Sequence, residues 1–204
     1  MKPLIIAHRV NTLEKLAEVP TKYGVEIDVR HDPAADRLYL NHDPAVSGQI
    51  YADLEEYLAA AKNHAFVIFN IKEAGIEQRC IDLAAKFGIG PDRFFLLDVE
   101  FPYIYRATRK EGIRSIAVRY SEAEPIEAAL AQIDLLDWVW IDTNTQLPID
   151  AIVKKQLKDF KTCLVAPDRW GRPNDNAAYR QQIEKLDFPL TAVMVGLEYA
   201  HLWE

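Results

Sequence analysis

Short, continuous apolar runs alternate with stretches of helical periodicity along the whole chain, and that rhythm narrows the fold more than any motif does. The runs lie at residues 4–7, 24–29, 66–71, 94–97, 114–118, 138–141, 162–165 and 191–195, and are rich in β-branched and aromatic side chains. A strand that is apolar on both faces must be covered on both, as parallel strands flanked by helices are. The helical stretches fall between them, at 12–18, 54–63, 76–87, 103–110, 125–133, 149–160 and 176–186. Asp53 stands where an N-cap belongs, Pro125 suits a first helical position, Asp150 suits a first turn, and Gly88 and Gly112 are placed to end helices. One element breaks the rhythm: residues 36–41 follow the turn-like Asp32-Pro33-Ala34-Ala35 and read as a hairpin partner of the second strand.

Strand followed by helix, repeated with short connections, means a parallel sheet. Two architectures use such a pattern, a closed barrel and a doubly wound open sheet. Eight strands favour the closed form, a compact (β/α)8 TIM barrel with a short β-hairpin after its second strand. The 204 residues suit one domain spanning 1–204. They fall short of the roughly 250 typical of this barrel, so helices and loops must be near their minimum.

The net charge of −7 speaks against a nucleic-acid partner, which would require a basic stripe. It leaves room for a small phosphorylated substrate, because a few local cations or a metal outweigh the overall balance. Cys80 and Cys163 are far apart and form no metal or redox motif, so both read as free thiols of a reducing compartment. The amino-terminal apolar run is too short for a signal peptide, and no stretch approaches the roughly 20 apolar residues of a membrane span. A cytoplasmic location is expected; the oligomeric state is left open.

In a parallel barrel the chemistry gathers at the carboxyl ends of the strands. Those ends carry His8-Arg9, Glu26 and Asp28, His42-Asp43, Asn70 and Lys72, Asp98, Arg119, Asp142, and Asp168-Arg169-Trp170. Glu26 and Asp28 are two apart on a strand and share a face. Two inward carboxylates need a cation between them, either a hard ion such as Mg²⁺ or Ca²⁺ or the neighbouring Arg9, Arg30 or Lys72 in a structural cluster. His8 and His42 belong to neighbouring strand ends and can divide proton acceptance and donation, or serve as hydrogen-bonded structural residues. Arg9 and Lys72 are the cations available to hold a phosphate. His31-Asp32-Pro33 duplicates His42-Asp43-Pro44, and His42 is preferred because it follows the return strand. His64 and His201 read as structural or solvated. Asp98, Asp142, Arg119 and the Arg169-Trp170 pair read as pocket lining or as surface pairing and packing.

The order Ile5-Ile6-Ala7-His8-Arg9, Gly24-Val25-Glu26-Ile27-Asp28-Val29 and His42-Asp43-Pro44 resembles the glycerophosphodiester phosphodiesterase family, with its HR dipeptide, E-x-D strand and HD dipeptide after a hairpin. The resemblance covers about the first quarter of the chain closely and the rest by strand order. It implies His8 and His42 as the acid/base pair, Glu26, Asp28 and Asn70 as ligands of Mg²⁺ or Ca²⁺, and Arg9 and Lys72 as phosphate contacts. The implied reaction is metal-assisted hydrolysis of a glycerophosphodiester or related small phosphodiester to glycerol phosphate and an alcohol.

Three departures stand out. The family's third acidic ligand is Asn70 here, and Glu73 is out of phase to replace it. The glycine after HR is Val10, and the loop that follows is cut to Asn11-Thr12. There is no length for a large capping insertion after His42. A phosphate-ester-binding barrel with weak catalysis, or a lyase acting on a phosphorylated substrate, are the alternatives.

Overall fold

The computed structural model describes residues 2–204; Met1, which begins the amino-terminal run read above, lies outside them. The strands are β1 (Leu4–Ala7), β2 (Gly24–Asp32), β3 (Arg37–Leu40), β4 (Val67–Ile71), β5 (Phe94–Leu97), β6 (Ala117–Tyr120), β7 (Trp138–Ile141), β8 (Lys161–Val165) and β9 (Ala192–Val195). All but β3 pair in parallel, in the order β5-β4-β2-β1-β9-β8-β7-β6. The ends of that path meet through one bridge, Leu96 to Ile116, with Leu96 N donating to Ser115 O at 3.0 Å. The sheet thus curls into the expected (β/α)8 TIM barrel, with a thin seam between β5 and β6. β3 is the expected hairpin arm, antiparallel to the end of β2, and Asp32 Oδ1 caps the turn by accepting from Ala34 N and Ala35 N.

The helices are α1 (Leu13–Glu18), α2 (Leu54–Ala61), α3 (Glu77–Lys86), α4 (Phe101–Arg106), α5 (Glu127–Leu130), α6 (Ala151–Gln156) and α7 (Asn176–Lys185). None is longer than the 10 residues of α3 and α7, which is how a chain this short completes the barrel. Asp53 caps α2 as expected, and Gly112, at φ 69°, ends the wide turn 107–111 that follows α4. Asp150 differs from its reading. It is the N-cap of α6, its Oδ1 accepting from Ile152 N and Val153 N, rather than a first-turn residue. α5 is also shorter than the 125–133 expected, because the chain after Leu130 tightens into i→i−3 turns, such as Gln132 N to Ala129 O.

Side-chain alternation along the strands divides the interior in two. Outward residues such as Val25, Ile27 and Val29 pack with Tyr57, Leu58 and the other helix residues in the larger core. Inward residues fill the barrel itself. Its lower layers are apolar: Ile6, Ile68, and the aromatic cluster of Phe66, Phe95 and Trp138, whose ring centroids are 4.9–5.6 Å apart. Each such aromatic pair adds about 0.5–1.5 kcal/mol beyond its buried area. Toward the carboxyl ends the same inward rows turn polar, at Glu26, Asp28, Asn70, Arg119 and Asp142. That change of character sets the site at one mouth of the barrel.

Gly24, at the foot of β2, is squeezed between β1 and β4. A Cβ there would lie 2.9 Å from both Cβ and the carbonyl oxygen of Phe66, and closer still to Ile6 Cδ1. Gly24→Ala is therefore expected to cost about 1–3 kcal/mol. Thermal unfolding should show it as a drop of about 2–4 °C per kcal/mol, and an unchanged midpoint would refute the close fit.

Candidate active site

Two carboxylates side by side inside a barrel require donors on every side, and the local chain supplies them. Glu26 and Asp28 are each 1% exposed. Glu26 Oε2 accepts from the backbone N–H of Arg9 at 2.8 Å, and Oε1 accepts from Asn70 Nδ2 at 3.0 Å. Arg9 reaches that position at φ 53°, a left-handed conformation costing a non-glycine residue roughly 1–3 kcal/mol. Val10 N then donates to the Glu26 carbonyl at 2.9 Å. Asn11 embraces Asp28: its Nδ2 donates to Oδ2 at 2.8 Å, and its Oδ1 accepts from Asp28 N at 2.9 Å. Lys72 Nζ stands 3.1 Å from Asp28 Oδ1 without hydrogen-bonding alignment, and Arg9 Nε is 3.5 Å from Oδ2.

Above the acids is a pocket of about 270 Å³, bordered by His8, Arg9, Glu26, His42, Asn70 and Lys72. Six of the seven side chains singled out for chemistry thus share one cavity. The seventh, Asp28, is on the same inward face but does not border the cavity. The volume lies just below the 300–1,000 Å³ of typical drug-sized sites, so only a small ligand group is enclosed.

The two histidines are held differently. His8 ends β1, with Nε2 3.9 Å from Glu26 Oε2. Burial, then the positive charges of Arg169, Arg9 and Lys72, lower its pKa to about 3, so the ring is neutral near pH 7. His42 is more exposed and its Nδ1 is 2.9 Å from Asp43 Oδ1; that bond holds the Asp43 carboxyl below its usual range. Arg30 fixes the backbone beneath it, donating from Nε and Nη2 to the His42 carbonyl at 3.1 and 2.9 Å. Glu73 in turn takes a hydrogen bond from Arg30 Nη1 at 2.9 Å. Glu73 therefore supports the hairpin instead of joining the acids. His31, the rival of His42, bonds Asp36 in the hairpin turn and does not border the pocket.

The opposite wall is a second charged cluster. Arg119 grips Asp98 in a fork at 2.7 and 3.0 Å and also donates to Asp142. Asp142 accepts a further hydrogen bond from Trp140 Nε1 at 3.0 Å. Burial would lower the Arg119 pKa, but the bonds and charges of the two carboxylates more than reverse it. Arg30, read as a possible partner of Glu26 and Asp28, instead holds the His42 carbonyl and Glu73, and the role of Asn11 carried no site signal in the sequence. Asn-Thr before a helix reads as a cap, and cross-strand polar contacts leave no periodic trace.

Among the described residues, no three His, Cys, Asp or Glu side chains cluster closely enough to hold a metal. The set nearest to doing so is Glu26, Asp28 and the Asn70 carboxamide. It is made only of oxygen acceptors on the metal side, and Asp28 Oδ1 and Asn70 Oδ1 are buried without a hydrogen-bond donor. An unpartnered carboxamide oxygen beside two buried carboxylates, one of them facing the Lys72 ammonium, is a donor set that suits a hard divalent cation.

No protein-family model and no curated protein sequence matches the chain. Solved structures do resemble it in fold. A glycerophosphodiester phosphodiesterase from Agrobacterium tumefaciens superposes with a TM-score of 0.70 over 98% of this chain and 99% of that one, at 14% identity. A phosphodiesterase from Oleispira antarctica, in complex with the product sn-glycerol-3-phosphate, gives 0.61 over 94% and 93%, at 15% identity. The barrel is thus shared along nearly the whole length of both chains. No helix among the described residues is long and apolar enough to cross a membrane.

A neutral His8 has a direct signature. Between about pH 5 and 8, where an unperturbed imidazole titrates, its ring-proton NMR signals should show none of the large displacement of imidazole protonation, only the smaller effect of the neighbouring Glu26 carboxyl. They can be assigned by their loss in His8→Asn. The large displacement, with a midpoint near the ordinary 6.5, would mean that the ring is solvated.

Proposed function

We propose that the chain is a phosphoric diester hydrolase acting on a glycerophosphodiester or a related small phosphodiester. The observation that carries this reading is that His8 and His42 border one small pocket above the buried acids, with Arg9 and Lys72 beside them. The shared fold with two phosphodiesterases, one holding a glycerol phosphate, supports the same substrate class.

Neutral His8 is the base: it takes a proton from the attacking hydroxyl, supplied by water or by the substrate's own neighbouring alcohol, and in the second case the cyclic phosphodiester formed is then opened by water. The attacking oxygen bonds to phosphorus, and the bond from phosphorus to the alcohol oxygen breaks. His42 gives its proton to that departing alkoxide, with charged Asp43 orienting the ring. Arg9 and Lys72 contact the phosphate while sharing their charge with Asp28. Glu26, Asp28 and Asn70 would hold a divalent cation such as Mg²⁺ or Ca²⁺. When bound, it supplies positive charge opposite the phosphoryl oxygens. With a carboxamide in place of a third carboxylate the hold is weak.

The test offers glycerophosphodiesters and a chromogenic phosphodiester to the protein with Mg²⁺, Ca²⁺ or Mn²⁺. Turnover is expected, with His8→Ala and His42→Ala each lowering kcat by about 10²–10⁴. Absence of turnover in every metal overturns the hydrolase. Binding of glycerol phosphate without turnover would instead support a ligand-binding barrel, a reading that Asn70 favours. Asn70→Glu should tighten Mg²⁺ and Ca²⁺ binding measured by calorimetry, and unchanged affinity would remove Asn70 from the cation's shell.

A further inference from the structure

Four side-chain cations border the pocket: Arg9, Lys72, Arg119 and Arg169. Three are committed. Arg119 is gripped by Asp98 and Asp142, while Arg9 and Lys72 both lean on Asp28. Arg169 pairs with no carboxylate among the described residues, and its buried Nε has no hydrogen-bond acceptor. Although that nitrogen is shut away from water, the residue borders the cavity with its charge uncompensated, and an anion in the cavity would compensate it.

The backbone carrying Arg169 is pinned without any help from its side chain. It lies in the single turn Pro167–Trp170, closed by Gly171 at φ 74°. Asp168 Oδ2 accepts from Gly196 N at 2.9 Å, tying the turn to the end of β9, and Oδ1 accepts from Asn176 Nδ2 at 3.3 Å. Beyond the turn, Arg172 donates to Asp175 Oδ2 at 2.9 Å and Tyr179 Oη at 2.6 Å, and also to the Thr143 carbonyl. Arg169 borders the same cavity as His8, Glu26 and Lys72.

We propose that Arg169 is the principal anion-holding side chain of this pocket, its planar fork taking the two non-bridging oxygens of a phosphodiester. This deepens the hydrolase reading and rests on it for the ligand's identity. The geometry of a guanidinium suits two oxygens in one plane, which an ammonium does not match. Arg9 and Lys72 are secondary contacts, because each already shares its charge.

Inorganic phosphate is the probe. Trp170, 46% exposed, and Trp140, 3% exposed, both border the pocket, so tryptophan fluorescence reports binding there. Calorimetry gives the affinity. Arg169→Gln should weaken phosphate binding roughly ten- to hundred-fold, and Arg169→Lys by less, since it keeps the charge and loses the fork. Both should melt at the wild-type temperature, because the side chain makes no internal bond. Wild-type phosphate affinity in Arg169→Gln, or no phosphate binding by the unaltered protein, overturns the proposal. Arg169-dependent phosphate binding without cleavage of any phosphodiester leaves it standing and removes the hydrolase reading. Turnover with an unchanged KM in Arg169→Gln does the reverse.

Discussion

Two carboxylates buried side by side on one barrel strand are the constraint from which the site is built. Removing either from water is expensive unless donors and cations replace the water. Burial, reinforced by the Asp28 charge, pushes the Glu26 carboxyl above its usual range. The surroundings answer with a backbone N–H from a left-handed Arg9, the amides of Asn11 and Asn70, and the charges of Arg9 and Lys72. These partners come from the end of β1, the loop after it, and the end of β4. The acids therefore organise three neighbouring segments around themselves, and the short Asn11-Thr12 link is long enough because Asn11 has only to span to the next strand.

The barrel makes this affordable below the site. The inward rows begin with Phe66, Phe95 and Trp138 and finish with charged groups, so one parity of each strand serves as core at the bottom and as pocket lining at the top. Trp140 marks the junction: its ring packs against Phe95, and its Nε1–H bonds Asp142. Closure at the β5–β6 seam depends less on the ladder than elsewhere. Just above it, Arg119 of β6 holds Asp98 from the end of β5, so side chains bridge where backbone pairing is sparse.

How much of this was legible in the sequence depends on the kind of force involved. Strands apolar on both faces were read closely, and β1, β5 and β7 match to the residue. β6, read at 114–118, starts three residues later and ends two later, because Arg119 and Tyr120 disguise it. Their polar groups are satisfied by Asp98, Asp142 and the Pro148 carbonyl, partners distant in sequence. The convergence of His8, Arg9, Glu26, His42, Asn70 and Lys72 on one pocket follows from strand ends and was readable. The supporting contacts of Asn11, Arg30 and Glu73 were not, since single polar residues in loops and strand extensions have no period. Whether a cation is paired or free, which separates Arg169 from Arg119, is a property of the folded arrangement alone.

The hairpin gives the site one more property. β2 runs past the rim, so the strand bearing the acids also carries Arg30, whose grip on the His42 carbonyl is backed by Glu73. That anchorage lies upstream of the exposed segment 43–50. Grafted residues entering beyond Pro44 would hang from a fixed post and leave the imidazole undisturbed. The segment after Pro44 can therefore change in length while the backbone at His42 keeps its anchorage.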